Sequence, residues 1–269
     1  YTGAPAQDVH PKSGLPIAAE VRAKLDARQA GTQRLIAQVP QVAQAGYEFV
    51  YDFDDFGTKG ESTYLAVVHA DGNRMGRRIQ ALGDQPGMDD QGYVRALRAF
   101  SNSMQKAATE ALHSTVELLL SSVENLGGRD MIGGVVPIPG GRLPFRPIVF
   151  GGDDVTFVCE GRLALPIAAH YLERVSSQTL SDGELAYSRA GVSVVKSHYP
   201  FSRAYDLAED LCASARAHIQ EIDPQRRVTA LDWHFAVNGL VRPLREIRSR
   251  EYSTPEGCLL MRPLRLQPL

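Results

Sequence analysis

Cysteine is scarce in this chain. Its 269 residues hold three, Cys159, Cys212 and Cys258. They lie far apart, with no Cys-x-x-Cys pair and no histidine at zinc-finger spacing. That pattern speaks against a disulfide framework or a structural zinc site and for free, buried thiols in a reducing, cytoplasmic setting. Long apolar runs are missing too. No stretch approaches the ~20 residues that a membrane helix requires, and no signal-peptide pattern is visible, so no membrane partner is expected. Nor is there an excess of one charge. A net charge of −2 and a pI near 6.4 argue against a whole surface built for nucleic acid, leaving only local basic patches. Small substrates are the simpler reading. What is present is an ordinary globular composition, 43% hydrophobic and 22% charged, which supplies a real core. The length fits one large domain or two small ones of about 150 residues each.

Two acidic turns carry the chemistry. In the first, the apolar run Tyr64-Leu-Ala-Val-Val-His69-Ala70 ends on Asp71, then passes through Gly72-Asn73-Arg74-Met75-Gly76 into a predicted helix. In the second, Pro147-Ile-Val-Phe150 enters Gly151-Gly152-Asp153-Asp154, and Val155-Thr-Phe-Val158 leaves it, which reads as a β-hairpin with acids at its tip. Either turn alone is an ordinary surface turn, since Gly and Asp are common turn residues. Together they match a divalent cation with a phosphate substrate. Adjacent carboxylates repel unless a cation or a proton intervenes, and Gly72, Gly151 and Gly152 let a bulky ligand approach the backbone. Acids from separate segments that converge on one or two Mg²⁺ or Mn²⁺ ions are the arrangement of palm-type nucleotidyltransferases and cyclases.

Both turns, followed in order by Ser188-Arg-Ala-Gly-Val-Ser-Val-Val-Lys196-Ser-His198 and Thr229-Ala-Leu-Asp-Trp-His234, resemble the second palm domain of the large subunit of type III CRISPR effector complexes. That polymerase-like family makes cyclic oligoadenylates from ATP. The resemblance runs from about Thr63 to Gly239 and implies an α+β fold: a ferredoxin-like palm, with an antiparallel sheet and helices on one face. It also implies a two-ion, ATP-consuming nucleotidyltransferase. Asp71, Asp153 and Asp154 would be its metal ligands and catalytic acids, and Gly72, Asn73, Gly151, Gly152, Lys196 and Arg216 would contact nucleotide. Implied partners are a nucleoside triphosphate, a homodimer mate or second palm, and CRISPR-like effector subunits or RNA. The chain departs from the family at Asn73, where many members carry a second acid. Asn offers an oxygen to a hard cation but no charge. The family's His-Asp nuclease signature and zinc cysteines are absent from the 269 residues, which leaves open a stand-alone relative.

The remaining sequence organises around that core. Residues 1–62 read as a loop and helical segment packing on the palm, with one broken helix or two short ones from Leu15 to Val39 around a Gly31-Thr32 interruption. The acids Asp52, Asp54, Asp55 and Glu61 read as a solvated loop. Met75–Leu82 forms a short helix. Gln91–Asn125 is one long amphipathic helix ended by Gly127-Gly128, and Gly133–Pro147 is a loop. Helices over Leu163–Ser177 and from Pro200 to Gln220 alternate with strands at Ala190–Val195 and Val228–Phe235. The palm spans 63–239, and 240–269 reads as a basic, proline-containing tail.

Several side chains have a plainer alternative beside the functional one. Arg216 stands where related Gly-Gly-Asp-Glu-Phe cyclases place a lysine against the triphosphate, or else is an exposed helix arginine. Lys196 and His198 reach a phosphate or are surface residues. His69 reads as a core histidine, and Asp232 as structural. Three functions follow from this reading. They are an oligonucleotide-signal synthase, a palm that binds nucleotide or a partner without turnover, and a stand-alone mononucleotide or dinucleotide cyclase. The lack of a Ser-His-Asp or Cys-His pattern agrees with the first, because phosphoryl transfer needs positioning and charge and no protein nucleophile.

Overall fold

The computed structural model describes residues 4–56, 64–236 and 243–266. Six strands make its main sheet: β1 (Tyr64–Gly72), β2 (Phe145–Gly151), β3 (Asp154–Glu160), β4 (Ser188–Lys196), β5 (Thr229–Ala236) and β6 (Leu264–Leu266). The helices of eight residues or more are α1 (Ala19–Asp26), α2 (Arg28–Gln38), α3 (Met75–Gly83), α4 (Asp90–Ser121), α5 (Ala164–Ser176), α6 (Phe201–Ile222) and α7 (Leu244–Tyr252). From β1 to β5 the chain order is β-α-α-β-β-α-β-α-β, as the motifs predict.

The sheet order is β6-β5-β4-β1-β3-β2, antiparallel at every pair except β4 with β5. β1 lies in the middle. Its run Leu65-Ala66-Val67-Val68 is buried at every position, because alternate residues feed two different cores. Ala66, Val68 and Ala70 join Val155, Phe157, Val192 and Val194 against the apolar faces of α4 and α5. Leu65 and Val67 join Val158 and Val195 against Ala204, Leu207, Ala208 and Leu211 of α6.

Helices therefore cover both faces of the sheet, where the sequence predicts a single layer. The reason lies in β4. Gly191 allows α6 to seat on the strand so closely that a Cβ there would stand 2.1 Å from the Ala208 carbonyl oxygen and 2.4 Å from the Cys212 nitrogen. The Ser193 hydroxyl donates to the Ala204 carbonyl at 2.7 Å and fixes the same contact.

Other expectations shift as well. The first helical segment breaks at Ala27, and Gly31 lies inside α2. α4 stops at Ser121, and Val123–Leu126 pairs with Arg129–Ile132 across Gly127 and Gly128, whose φ values of 60° and 80° form a tight hairpin turn. The region predicted as a loop after Gly133 contributes Val136–Pro137 to that small sheet, and the hairpin strand β2 begins at Phe145.

The basic C-terminal residues do not trail as an extended tail. α7 docks through the Arg248 guanidinium, which donates to both oxygens of buried Asp232 at 2.7 and 2.8 Å, confirming Asp232 as structural. Arg262 lies against Trp233 and Tyr252, and β6 extends the sheet. Asp55 pairs with Arg142 at 2.6 Å, while Glu61 and the Gly239 boundary lie outside the described residues. Cys159 and Cys212 are buried free thiols as expected, and Cys258 is exposed. No helix among the described residues is long and apolar enough to cross a membrane.

Candidate active site at the acid end of the sheet

The register places both acidic turns at one end of the sheet. Val155 of β3 pairs with Ala70 of β1, so Asp154 comes level with Asp71, and Arg189 of β4 pairs with Asp71 from the other side. By strand alternation Asp71, Asp154 and Arg189 fall on the α6 face, in line with Val67 and Thr156.

β1 ends in a tightly held turn. Asn73 is buried, its main-chain N–H donating to the Tyr187 carbonyl and its side-chain amide to the Val228 carbonyl, both at 2.8 Å. The buried Arg189 guanidinium donates to the Gly72 carbonyl oxygen at 2.9 Å, to Asn73 Oδ1 at 2.9 Å, and to the Asp71 carboxylate. Asn73, predicted to contact nucleotide, thus has both ends of its side chain engaged within the protein. Gly72 has a different role. A Cβ there would sit 2.9 Å from the Asp153 Cβ and nearer still to the Met75 side chain, so glycine lets the hairpin tip close over the end of β1.

The hairpin is built around a two-residue loop. Gly151 pairs with Asp154, and Gly152 takes φ 64° at the first central position, where a β-carbon would be strained. Its N–H donates to Gln105 Oε1 of α4 at 2.9 Å. Asp154 is exposed, with the His69 ring 3.5 Å away. His69 also contacts the Thr156 hydroxyl at 3.3 Å and meets the Tyr205 ring edge-on at 5.6 Å, so its ring, only 12% exposed, is largely buried yet borders the hairpin acid. Asp153 is half-buried. Burial holds its carboxyl above the usual carboxylate range, and the Asp71 charge pushes the same way, against a main-chain hydrogen bond and Arg189. Its charge in turn helps raise the buried Tyr171 phenol, after burial itself.

Arginines surround this end. Burial depresses the Arg226 guanidinium, and the charges of Arg216, Arg77, Arg189 and Arg74 lower it further. Arg74 opens α3 from a left-handed conformation, φ 62°, and is tied to Glu184 and to the Gln225 carbonyl. Arg216 is exposed near the C-terminal end of α6, which runs back towards Asp71.

Lys196 does not join this group. It pairs with Tyr64 at the opposite end of β4, seven residues from Arg189, or roughly 23 Å at ~3.3 Å per strand residue. His198, two residues further on, lies beyond it. The sequence motif is contiguous, but the strand carries its two ends to opposite edges of the sheet.

The residues fit a divalent cation unevenly. Among the described residues no three His, Cys, Asp or Glu side chains converge. Around Asp71, three of the oxygens that a hard cation would take, Asp71 Oδ2, the Gly72 carbonyl and Asn73 Oδ1, accept from Arg189. Asp71 as found is an ion-pair partner, and the two-ion arrangement is not built. At the hairpin, Asp153 and Asp154 are the two carboxylates left to offer a cation, Asp154 exposed and Asp153 near enough to Asp71 to feel its charge.

Sequence reasoning missed Arg189, Gln105 and Arg226. Arg189 was visible as the one long charged residue entering an otherwise small and β-branched strand. Gln105 and Arg226 carried no local signal, because α4 and the loop after α6 reach the site only through the fold.

No curated protein sequence matches the chain. Among solved structures it is similar to a Csm1–Csm4 cassette in complex with cA3, at 17% identity and a TM-score of 0.39, covering 72% of this chain and 25% of that one. It is likewise similar to Csm1 in T. onnurineus, at 19% identity and 0.39, covering 76% and 28%. A third likeness is to the GGDEF domain of DgcB from Caulobacter crescentus with c-di-GMP, at 11% identity and 0.33, covering 71% and 85%. The chain spans about a quarter of the length of these Csm1 chains. The family model for the second palm domain of Cas10/Cmr2 matches residues 64–221, from the first residue of β1 almost to the end of α6. That stretch holds both acidic turns and exceeds half of the chain, and with it the chain belongs to the type III CRISPR large-subunit family as a palm domain of nucleotide cyclase and polymerase type.

Proposed function

We propose that the acid end of the sheet binds a nucleoside triphosphate and joins nucleotides into a cyclic or linear oligonucleotide signal, with release of pyrophosphate. ATP is the substrate that the family resemblance implies. The observation that carries the reading is the register that sets the hairpin acids level with Asp71 and Arg189 at one end of the sheet. Such a pairing of opposite charges suits a triphosphate and its counter-ion. One Mg²⁺ or Mn²⁺ held by Asp153 and Asp154 would supply charge neutralisation for phosphoryl transfer. Arg216, Arg77 and Arg226 bind phosphate oxygens, helped by the main-chain amides that open α3. His69 and Tyr205 offer aromatic edges beside the hairpin.

The test is incubation of the protein with each nucleoside triphosphate and Mn²⁺, followed by mass spectrometry. Oligonucleotide and pyrophosphate are the expected products. Recovery of unchanged but bound nucleotide would establish the second reading, a palm that binds without turnover. The engagement of Asp71 by Arg189 and the Asn at position 73 favour that alternative. In either case the palm works beside a second palm, a homodimer mate or other subunits of an effector complex. Chromatography with light scattering tests the homodimer.

A further inference from the structure

Three oxygens from consecutive residues, the Asp71 carboxylate, the Gly72 carbonyl and Asn73 Oδ1, point at one cation, and that cation is a side chain of the same protein. We infer that Arg189 is the resident cation of the Asp71 cage, permanently occupying the place where a divalent ion would otherwise sit, so that this palm takes metal at its hairpin alone. The inference goes beyond the proposed function and does not depend on turnover.

Four features hold Arg189 in place. It is only 5% exposed, so withdrawal would strip a buried guanidinium of its partners. It springs from the second pair of the β1–β4 register, directly opposite Asp71. Its own main-chain carbonyl faces Cys212 of α6, at 4.0 Å from the sulfur. And Asn73 is the residue type that completes the cage around a guanidinium. It gives Arg189 a neutral acceptor while its amide donates to the Val228 carbonyl at 2.8 Å, which a carboxylate could not do. An aspartate at 73 would add a second negative charge and lose that donor. Asn73 and Arg189 therefore form one unit that exchanges a metal charge for a fixed, always-protonated one.

Mn²⁺ binding tests this directly. Titrations followed by electron paramagnetic resonance count bound ions in the full chain without nucleotide. The Asp153→Ala/Asp154→Ala variant should lose Mn²⁺ binding, while Asp71→Asn changes the affinity by less than the ~10-fold that even a second-sphere ligand partner contributes. Arg189→Met, which keeps much of the volume but removes the charge, should gain one Mn²⁺ site that a further Asp71→Asn substitution abolishes. Arg189→Lys should gain none. If Arg189→Met folds only with Mn²⁺ present, the gained site is read from its folding. If it never folds, anomalous scattering from Mn²⁺-soaked wild-type crystals decides. A peak within the Asp71 cage overturns the inference, and its absence there upholds it. An unchanged ion count in folded Arg189→Met also overturns it. Absence of oligonucleotide synthesis leaves these outcomes untouched, since it bears only on the proposed function.

Discussion

The two acidic turns are both built on aspartate and glycine and do opposite work. At the end of β1 the carboxylate of Asp71 is neutralised by Arg189, and the neighbouring Gly72 and Asn73 oxygens are consumed by the same guanidinium. At the hairpin tip the carboxylates of Asp153 and Asp154 stand in a loop fixed by Gly152, Gln105 and the close approach of Gly72, with Arg189 a weaker influence on Asp153. The first turn belongs to the fold's internal electrostatics. The second keeps its charge available. An acid's role is set by whether a buried cation reaches it, and nothing local to Asp-Gly or Asp-Asp encodes that.

The sharpest test of this contrast removes the hairpin charge. Asp153→Ala/Asp154→Ala should abolish pyrophosphate release from ATP while leaving far-UV circular dichroism and the thermal midpoint close to wild type, since neither side chain packs in a core. Retained synthesis by the folded variant would move catalysis elsewhere.

The converse substitution should damage folding first. Arg189→Ala leaves the Asp71 carboxylate and two buried oxygens without their donor. It should cost about 3 kcal/mol, the lower end of the range for breaking a buried pair, because the Asp71 side chain is still 34% exposed. Urea unfolding measures it. A loss under half that size would place Arg189 among ordinary surface arginines and erase the difference between the turns.

Arg216 bears on the hairpin side. It is exposed and acts electrostatically on Arg226 and Cys212. Arg216→Ala should weaken ATP binding about tenfold through the loss of a charge-assisted phosphate contact, with stability unchanged. Calorimetric titration with and without Mg²⁺ checks it, and equal affinities would remove Arg216 from the site.

Much of this arrangement was legible in the chain. The strand ending on Asp71, the hairpin at Gly151–Asp154 and the order of elements follow from apolar runs broken by Gly and Asp, which fix where strands stop. The second helical layer was not legible. Gly191 reads as a weak point in a strand until α6 is seen resting on it. Lys196 misled for a related reason: the contiguous motif Ser188–His198 looks like one site, but the nine-residue strand within it separates its ends by most of the sheet. The Asp71–Arg189 pair joins residues more than a hundred positions apart, so only strand register reveals it. The C-terminal helix escaped notice because its anchor is a tertiary pair, Arg248 on the Asp232 of strand β5 sixteen positions before it, that outweighs flanking prolines.

The smallest expected effect concerns Asp153 itself and has an unusual sign. Its carboxyl is held above the ordinary range, first by burial and then by the Asp71 charge, so the folded protein binds this proton more tightly than the unfolded chain does. The folded state is favoured when the group is protonated. That contribution is fully present below the unfolded value of 3.8 and disappears as pH rises through the raised folded value. At neutral pH the charged form is a small burden, because the carboxyl is only partly buried. Asp153→Asn should therefore raise stability slightly at neutral pH and lose that advantage in acid, whereas Asp71→Asn should lower stability by leaving Arg189 unpaired. Urea midpoints for both variants, measured at pH 7 and again below pH 4, test the opposition, and a destabilised Asp153→Asn at pH 7 would show the hairpin acid to be a structural partner after all.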